Sequence, residues 1–144
     1  MTLVKDCDAI IVDVRNNGGG ATPSMARLAG YFFADSAHLS DLHCRDTGDT
    51  IRIWARAHPT VNLSRQPMYI LTKRRTFSAG ENFAYALQQL HRATVVGGAT
   101  RGGAHTAKGL LDLGFGLRAL IPPGEVLDPT TKANWERVGV KPTS

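Results

Sequence analysis

Three stretches of this sequence carry the residue types that chemistry needs. Ser78 stands in Thr76-Phe77-Ser78-Ala79-Gly80-Glu81, between an apolar run, Met68–Thr72, and a helix-periodic run, Ser78–Leu90. That position puts a hydroxyl at a helix N-terminus, where backbone N–H groups and the macrodipole favour developing negative charge. Nucleophilic serines use such strand-to-helix turns. The same residues also fit a capping box, serine followed three residues later by glutamate, in which the hydroxyl is already engaged. The second stretch, Arg15-Asn16-Asn17-Gly18-Gly19-Gly20, follows the apolar run Ala9–Val14. Glycines there can turn backbone N–H groups into a cleft to hold an oxyanion or a phosphate, or simply make a tight turn. No Gly-Lys-Ser/Thr follows, and the glycine spacing is wrong for a dinucleotide. The third stretch, Thr100–Lys108, is glycine-rich and carries His105. His38, His43, His58 and His91 show no partner spacing and read as surface or turn histidines. No histidine pair has metal-ligand spacing with an acid beside it, so neither a metal nor a cofactor is expected.

The elements that must position these residues follow from local pattern. Ala9–Val14 is a short continuous apolar run, as in a strand buried on both faces. After the glycines, Thr22-Pro23 reads as an N-cap with proline at the first helical position. Met25, Leu28, Ala29, Phe32 and Phe33 then fall on one helical face, so Ser24–Phe33 is expected to be a helix. Leu39–Arg45 and Ile51–Ala57 read as a hairpin around Asp46-Thr47-Gly48-Asp49. Met68–Thr72 is a further buried strand, and Thr94–Gly97 another short strand. Between them Ser78–Leu90 places Phe83, Ala84, Leu87 and Leu90 on one apolar side. Leu117–Ile121 is strand-like, Pro122-Pro123-Gly124 ends it, and Asp128–Ser144 is expected to be mostly irregular. Strands alternating with helices define an α/β domain.

The 144 residues fit one domain, 1–144, long enough for a hydrophobic core without staples. At 42% hydrophobic and 20% charged, the composition is that of an ordinary globular chain. No apolar run approaches the roughly 20 residues a membrane helix needs. The net charge is +5. The basic residues are scattered, apart from Lys73-Arg74-Arg75, and do not alternate with aromatics, so a solvated basic face is expected rather than a nucleic-acid partner. Cys7 and Cys44 are too far apart for a metal motif or a disulfide framework, and Cys7 is expected to be buried.

Four segments, in order, resemble one family. Ile11-Val12-Asp13-Val14-Arg15-Asn16-Asn17-Gly18-Gly19-Gly20 is similar to the aspartate-x-arginine-x-asparagine-glycine-glycine turn of tail-specific (C-terminal processing) and tricorn-like serine peptidases. Thr76–Glu81 resembles their nucleophile segment, and Val95-Val96-Gly97-Gly98-Ala99-Thr100 the strand and turn that follow. Asn134-Trp135-Glu136-Arg137-Val138-Gly139-Val140-Lys141-Pro142 resembles the closing segment of the branch that holds the tricorn core and interphotoreceptor retinoid-binding protein. The match runs from about Ala9 to Pro142; no single motif is specific, but the order of four is.

The resemblance implies a crotonase/ClpP-like layered α/β/α core. It implies Ser78 as nucleophile, with the N–H groups of Gly19 and Ala79 as oxyanion hole, each such donor being worth about 3 kcal/mol. The tail-specific branch takes its base from a lysine whose place falls at Gly103, so the serine–lysine dyad is absent, and Lys108 is merely nearby in sequence. The tricorn-like branch uses serine, histidine, a second serine and a glutamate, and Glu136 matches that glutamate. Its histidine precedes the glycine turn, so the chain is expected to be a fragment lacking the N-terminal region that supplies the base. Without a base a serine hydroxyl is a weak nucleophile; His105 is the internal candidate for a substitute. The implied function is a serine endopeptidase or carboxyl-terminal processing peptidase acting on peptides or unfolded protein C-termini. The alternative is a retinoid-binding-protein-like module that binds an apolar ligand or a protein partner without hydrolysis. Self-association into a homo-oligomer is a further expectation, and members of the family are often exported.

Overall fold

The computed structural model describes residues 4–106 and 110–143. Strand β1 (Ile10–Asp13) leads through the glycine turn to helix α1 (Thr22–Ala29) and a 3₁₀ turn (Gly30–Phe32). Strands β2 (Ala37–Cys44), β3 (Thr50–Ala55) and β4 (Met68–Thr72) follow, then helix α2 (Ala79–Gln89) and β5 (Thr94–Gly97). The chain ends with β6 (Leu111–Gly114), β7 (Leu117–Ala119) and β8 (Gly124–Leu127). The class is α/β, as the alternation of patterns requires.

Three strands form a parallel sheet in the order β1-β4-β5, with Ile10 opposite Met68 and Ile70 opposite Val95. Its inner face buries Ile10, Met68, Ile70 and Val95, and the helices pack there with Phe83, Ala84 and Leu87 of α2 and Met25, Ala26 and Ala29 of α1. A second sheet, antiparallel in the order β3-β2-β8, contributes Leu39, Ile53, Ala55 and Val126 to the same core. The outer face of the parallel sheet leaves Ile11, Tyr69 and Val96 exposed, so β1 is covered on one face only.

The differences from the sequence reading have local causes. The first helix starts at Thr22 with Ala21 as its N-cap, which has no side-chain cap bond, and Pro23 sits inside the first turn. The helix gives way to the 3₁₀ turn at Gly30, where the backbone of Arg56 passes too close for any side chain. Leu90, placed by periodicity on the buried side of α2, is its C-cap and is exposed. Cys7 is half-buried in the segment before β1. Strand β7 pairs with β6 in a separate hairpin whose leucines face solvent. Strand β8 has no strong sequence signal: it forms because Gly124 lets the chain approach His43 and Cys44 and extend the β2 ladder. The tail after Asp128 is irregular in backbone but not peripheral, since Trp135 and Val140 are core residues. Lys108 lies outside the described residues.

Candidate active site

Ser78 occupies the junction of β4 and α2 with φ 54° and ψ −119°. Side chains other than glycine adopt such a backbone rarely, at a cost of roughly 1–3 kcal/mol. The serine must therefore be held there by its surroundings, and the structure shows how. Thr76, fully buried, donates its hydroxyl to the Val14 carbonyl at 2.8 Å, and Phe77 N–H donates to the Asn17 carbonyl at 3.0 Å. These bonds fasten the nucleophile segment to the glycine turn beyond β1. At Gly19, φ is +107° and an added Cβ would lie 2.8 Å from Ser78 Cβ, so only glycine can pass there.

The capping box forms: Ser78 N–H donates to Glu81 Oε2 at 2.7 Å and the Ser78 side chain faces the Glu81 N–H, while the N–H groups of Glu81 and Asn82 also reach the Ser78 carbonyl at 2.9 Å. Ser78 is thus the cap of α2 and holds its hydroxyl at the helix N-terminus. Glu81 does more than cap. Its carboxylate is fully buried and accepts four bonds. Oε2 takes Ser78 N–H at 2.7 Å and Gly103 N–H at 3.0 Å; Oε1 takes Gly102 N–H at 2.6 Å and the Thr100 hydroxyl at 2.6 Å. All four acceptor positions of the group are used. Glu81 therefore welds the nucleophile turn to the glycine-rich loop, a role that sequence alone showed only as a cap partner.

That loop carries His105. Its Nδ1 lies 2.9 Å from Glu136 Oε2, and the same oxygen accepts Ala104 N–H at 2.7 Å. Burial pushes the Glu136 carboxyl up, but the bonds from His105 and Ala104 and the charges of His105 and Arg137 outweigh it and hold it below the usual carboxylate range. With Nδ1 turned to a carboxylate, Nε2 is the ring nitrogen left free among the described residues. Glu136 is itself placed by the closing segment, which is stitched back by Val140 N–H to the Thr100 hydroxyl at 2.7 Å and Arg137 N–H to the Gly102 carbonyl at 3.0 Å. Ser78, Ala79, His105, Asn82 and Trp135 line one cavity of about 40 Å³.

The two expected oxyanion donors differ. Ala79 N–H makes no hydrogen bond among the described residues, whereas Gly19 N–H is held by Asn17 Oδ1 at 2.8 Å. At Gly103, where a lysine base would stand, an added Cβ would run into the Phe77 ring, and Arg101 lies 4.8 Å over that ring. The position is closed to a side chain unless Phe77 moves.

Two of the remaining histidines have structural partners. His38 stacks on Trp54 with centroids 4.6 Å apart and meets Asp41 at 2.8 Å, and His58 stacks on Tyr31 and accepts the Val61 N–H at 3.1 Å. His43 and Arg45 border a second cavity that also touches His105, and His91 is exposed.

A strained serine between a parallel strand and a helix, beside a glycine turn and a histidine–carboxylate pair, is an arrangement that can support acyl transfer. The chain belongs to peptidase family S41, whose sequence pattern matches residues 1–144. It is 33% identical over 98 residues to the tail-specific protease of Haemophilus influenzae, a match covering 66% of this chain and 13% of that protein. Its fold is similar to that of the photosystem II D1 C-terminal processing protease, with a TM-score of 0.79 at 25% identity over 99% of this chain and 35% of that one. Mature CPAF complexed with lactacystin shares the fold, with a TM-score of 0.83 at 16% identity over 98% of this chain and 40% of that one. The chain thus spans well under half the length of these relatives. No helix among the described residues is long and apolar enough to cross a membrane.

Proposed function

We propose that this chain is the nucleophile-bearing core of a serine peptidase, with Ser78 as nucleophile, His105 as general base and Glu136 as the group that orients the base. The observation that carries the reading is the 2.9 Å His105–Glu136 pair, whose histidine borders the Ser78 cavity. In this reading the base belongs to the glycine-rich loop rather than to a region ahead of β1. His105 Nε2 takes the Ser78 proton as Oγ attacks the scissile carbonyl carbon. Glu136 stabilises the imidazolium that forms and fixes the tautomer. Ala79 N–H and the dipole of α2 face the developing oxyanion, and Gly19 N–H joins them once Asn17 releases it. His105 then returns the proton to the leaving amine, and the acyl group stays on Ser78 as an ester.

The substrates this reading assigns are peptides and unfolded protein C-termini. Self-association would use the outer face of the parallel sheet, where Ile11 is 66% exposed, since parallel sheets are normally covered on both sides. The alternative of a non-hydrolytic site for an apolar ligand has less support. The cavity beneath the glycine turn, bordered by Val14, Met25, Leu28 and Phe83, holds about 180 Å³, below the roughly 300 Å³ at which small-molecule pockets begin. The test is incubation with an unstructured polypeptide and mass-spectrometric search for new termini. New termini that Ser78→Ala abolishes support the reading. A folded wild-type chain that generates none removes it.

A further inference from the structure

Two buried polar atoms near Ser78 have no partner among the described residues, and they are complementary. Asn82 is 3% exposed; its Nδ2 donates to Ser40 Oγ at 3.2 Å, which leaves Oδ1 as an acceptor with no donor. Trp135 is 1% exposed, and its Nε1–H has no acceptor among the described residues. Leaving one such group unpaired costs about 1–3 kcal/mol, so native folds rarely leave two together without an occupant. Both residues border the cavity that Ser78 and His105 share, and its volume is about 40 Å³. One water takes up about 30 Å³ and needs two to four polar partners. Trp135 and Asn82 supply one of each kind.

We infer that this cavity seats the water that hydrolyses the acyl-enzyme, with Trp135 Nε1–H donating to its oxygen and Asn82 Oδ1 accepting one of its hydrogens. The inference rests on the reading of Ser78 as nucleophile and His105 as base. Held this way, the water keeps one hydrogen for His105 Nε2, the ring nitrogen that Glu136 leaves free. His105 Nε2 takes a proton from the water as its oxygen bonds to the carbonyl carbon of the Ser78 ester. The tetrahedral centre collapses, the C–Oγ bond breaks, and the proton passes from Nε2 to Oγ. A carboxylic acid leaves and the free serine returns.

Asn82 sits one turn into α2, on the helix face that bears Ser78. Trp135 is fixed by its packing on Tyr85, with centroids 5.0 Å apart, and by its place next to Glu136. Both partners are thus set by the same elements that set the nucleophile and the carboxylate. That is the precision a positioned reactant needs, since a shift of about 1 Å can cost on the order of a hundredfold in rate.

The test uses p-nitrophenyl acetate with the intact chain, comparing wild type with Asn82→Leu and, as a second variant of different size change, Trp135→Phe. Acetylation of Ser78 is read as the p-nitrophenol burst, deacetylation as the steady-state rate, and the acetyl-enzyme directly by intact mass. The expected result is a burst close to the wild-type rate in both variants, a steady state slowed about tenfold or more, and acetylated protein accumulating. Added hydroxylamine, which does not need the seat, should restore turnover in the variants more than in wild type. A burst and steady state that both stay at wild-type values overturn the water seat and leave the Ser78 reading intact. A burst and steady state that fall by the same factor show a merely structural role and also overturn it. A wild-type chain with no burst and no acetyl adduct at Ser78 removes the serine reading itself, and the water seat with it.

Discussion

Glu81→Gln should be among the most damaging single-atom changes this fold can suffer. The wild-type carboxylate accepts four bonds while fully buried: Ser78 N–H and Gly103 N–H on one oxygen, Gly102 N–H and the Thr100 hydroxyl on the other. The amide keeps one acceptor oxygen and turns the other position into a donor. If the NH₂ faces Ser78 and Gly103, two N–H groups lose their acceptor and meet a third donor. If it faces Gly102 and Thr100, the hydroxyl can rotate to accept, so one N–H is orphaned. Hydrogen bonds to charged groups contribute about 1.5–3 kcal/mol each. The amide takes the cheaper orientation, so the loss is about 1.5–3 kcal/mol, a sizeable share of the roughly 5–15 kcal/mol that holds a domain together. Urea unfolding followed by circular dichroism measures it, and the midpoint should fall with little change in slope. The strained Ser78 backbone is tied directly to Glu81, so fluorophosphonate reactivity should fall as well, even under conditions where the variant is folded. A variant within about 1 kcal/mol of wild type would refute the claim that this carboxylate welds the nucleophile turn to the glycine-rich loop.

Two further outcomes follow from particular geometries. Ser78→Gly should be more stable than Ser78→Ala by about 1 kcal/mol, because glycine accepts a φ of 54° and alanine does not; thermal melts of the two inactive variants measure the difference, and equal stabilities would show the turn to be unstrained. Asp41 is buried beneath His38 and Lys132: burial pushes its carboxyl up, but the bonds from Lys132 at 2.9 Å and His38 at 2.8 Å hold it below its ordinary value. A lowered folded value means this stabilisation is present above the unfolded pKa of about 3.9 and is lost as pH falls through the lower folded value. Asp41→Asn should thus weaken the fold at neutral pH and converge on wild type as pH falls through the lowered folded value, read from urea midpoints at neutral pH and along an acid series; an equal deficit throughout would assign the effect to packing.

The parts of this molecule that were legible in the sequence are those written in local pattern. Met68–Thr72 and Thr94–Gly97 are strands over just those residues, and the periodicity of Phe83, Ala84 and Leu87 located α2 within a residue of its ends. The Asn17–Gly20 run signalled a turn that no side chain could make, and Gly19 beside Ser78 shows why. Long-range pairings left no such mark. Glu81 looked like half of a capping box, because its bonds to Thr100, Gly102 and Gly103 form only once the glycine-rich loop folds back over α2. Trp135 sat in a segment without strand or helix signal, yet it packs on Tyr85 and closes the core. Glu136 could be marked only through the family resemblance, and its pairing with His105 depends on β8 and the closing segment bringing two distant loops together. Strand β8 itself was hidden because Pro122-Pro123-Gly124 reads as a stop. Here Gly124 begins a strand instead, because His43 and Cys44 offer an unpaired edge.

The central claim is that Ser78 is activated by the histidine this chain itself carries. The most direct measurement is the rate of fluorophosphonate labelling, read by intact mass and peptide mapping, for wild type, Ser78→Ala and His105→Gln. The account predicts a single adduct at Ser78 in wild type, none in Ser78→Ala, and labelling slowed on the order of a hundredfold or more in His105→Gln, in keeping with what a positioned general base contributes. Labelling of His105→Gln at the wild-type rate would contradict it and assign the base elsewhere.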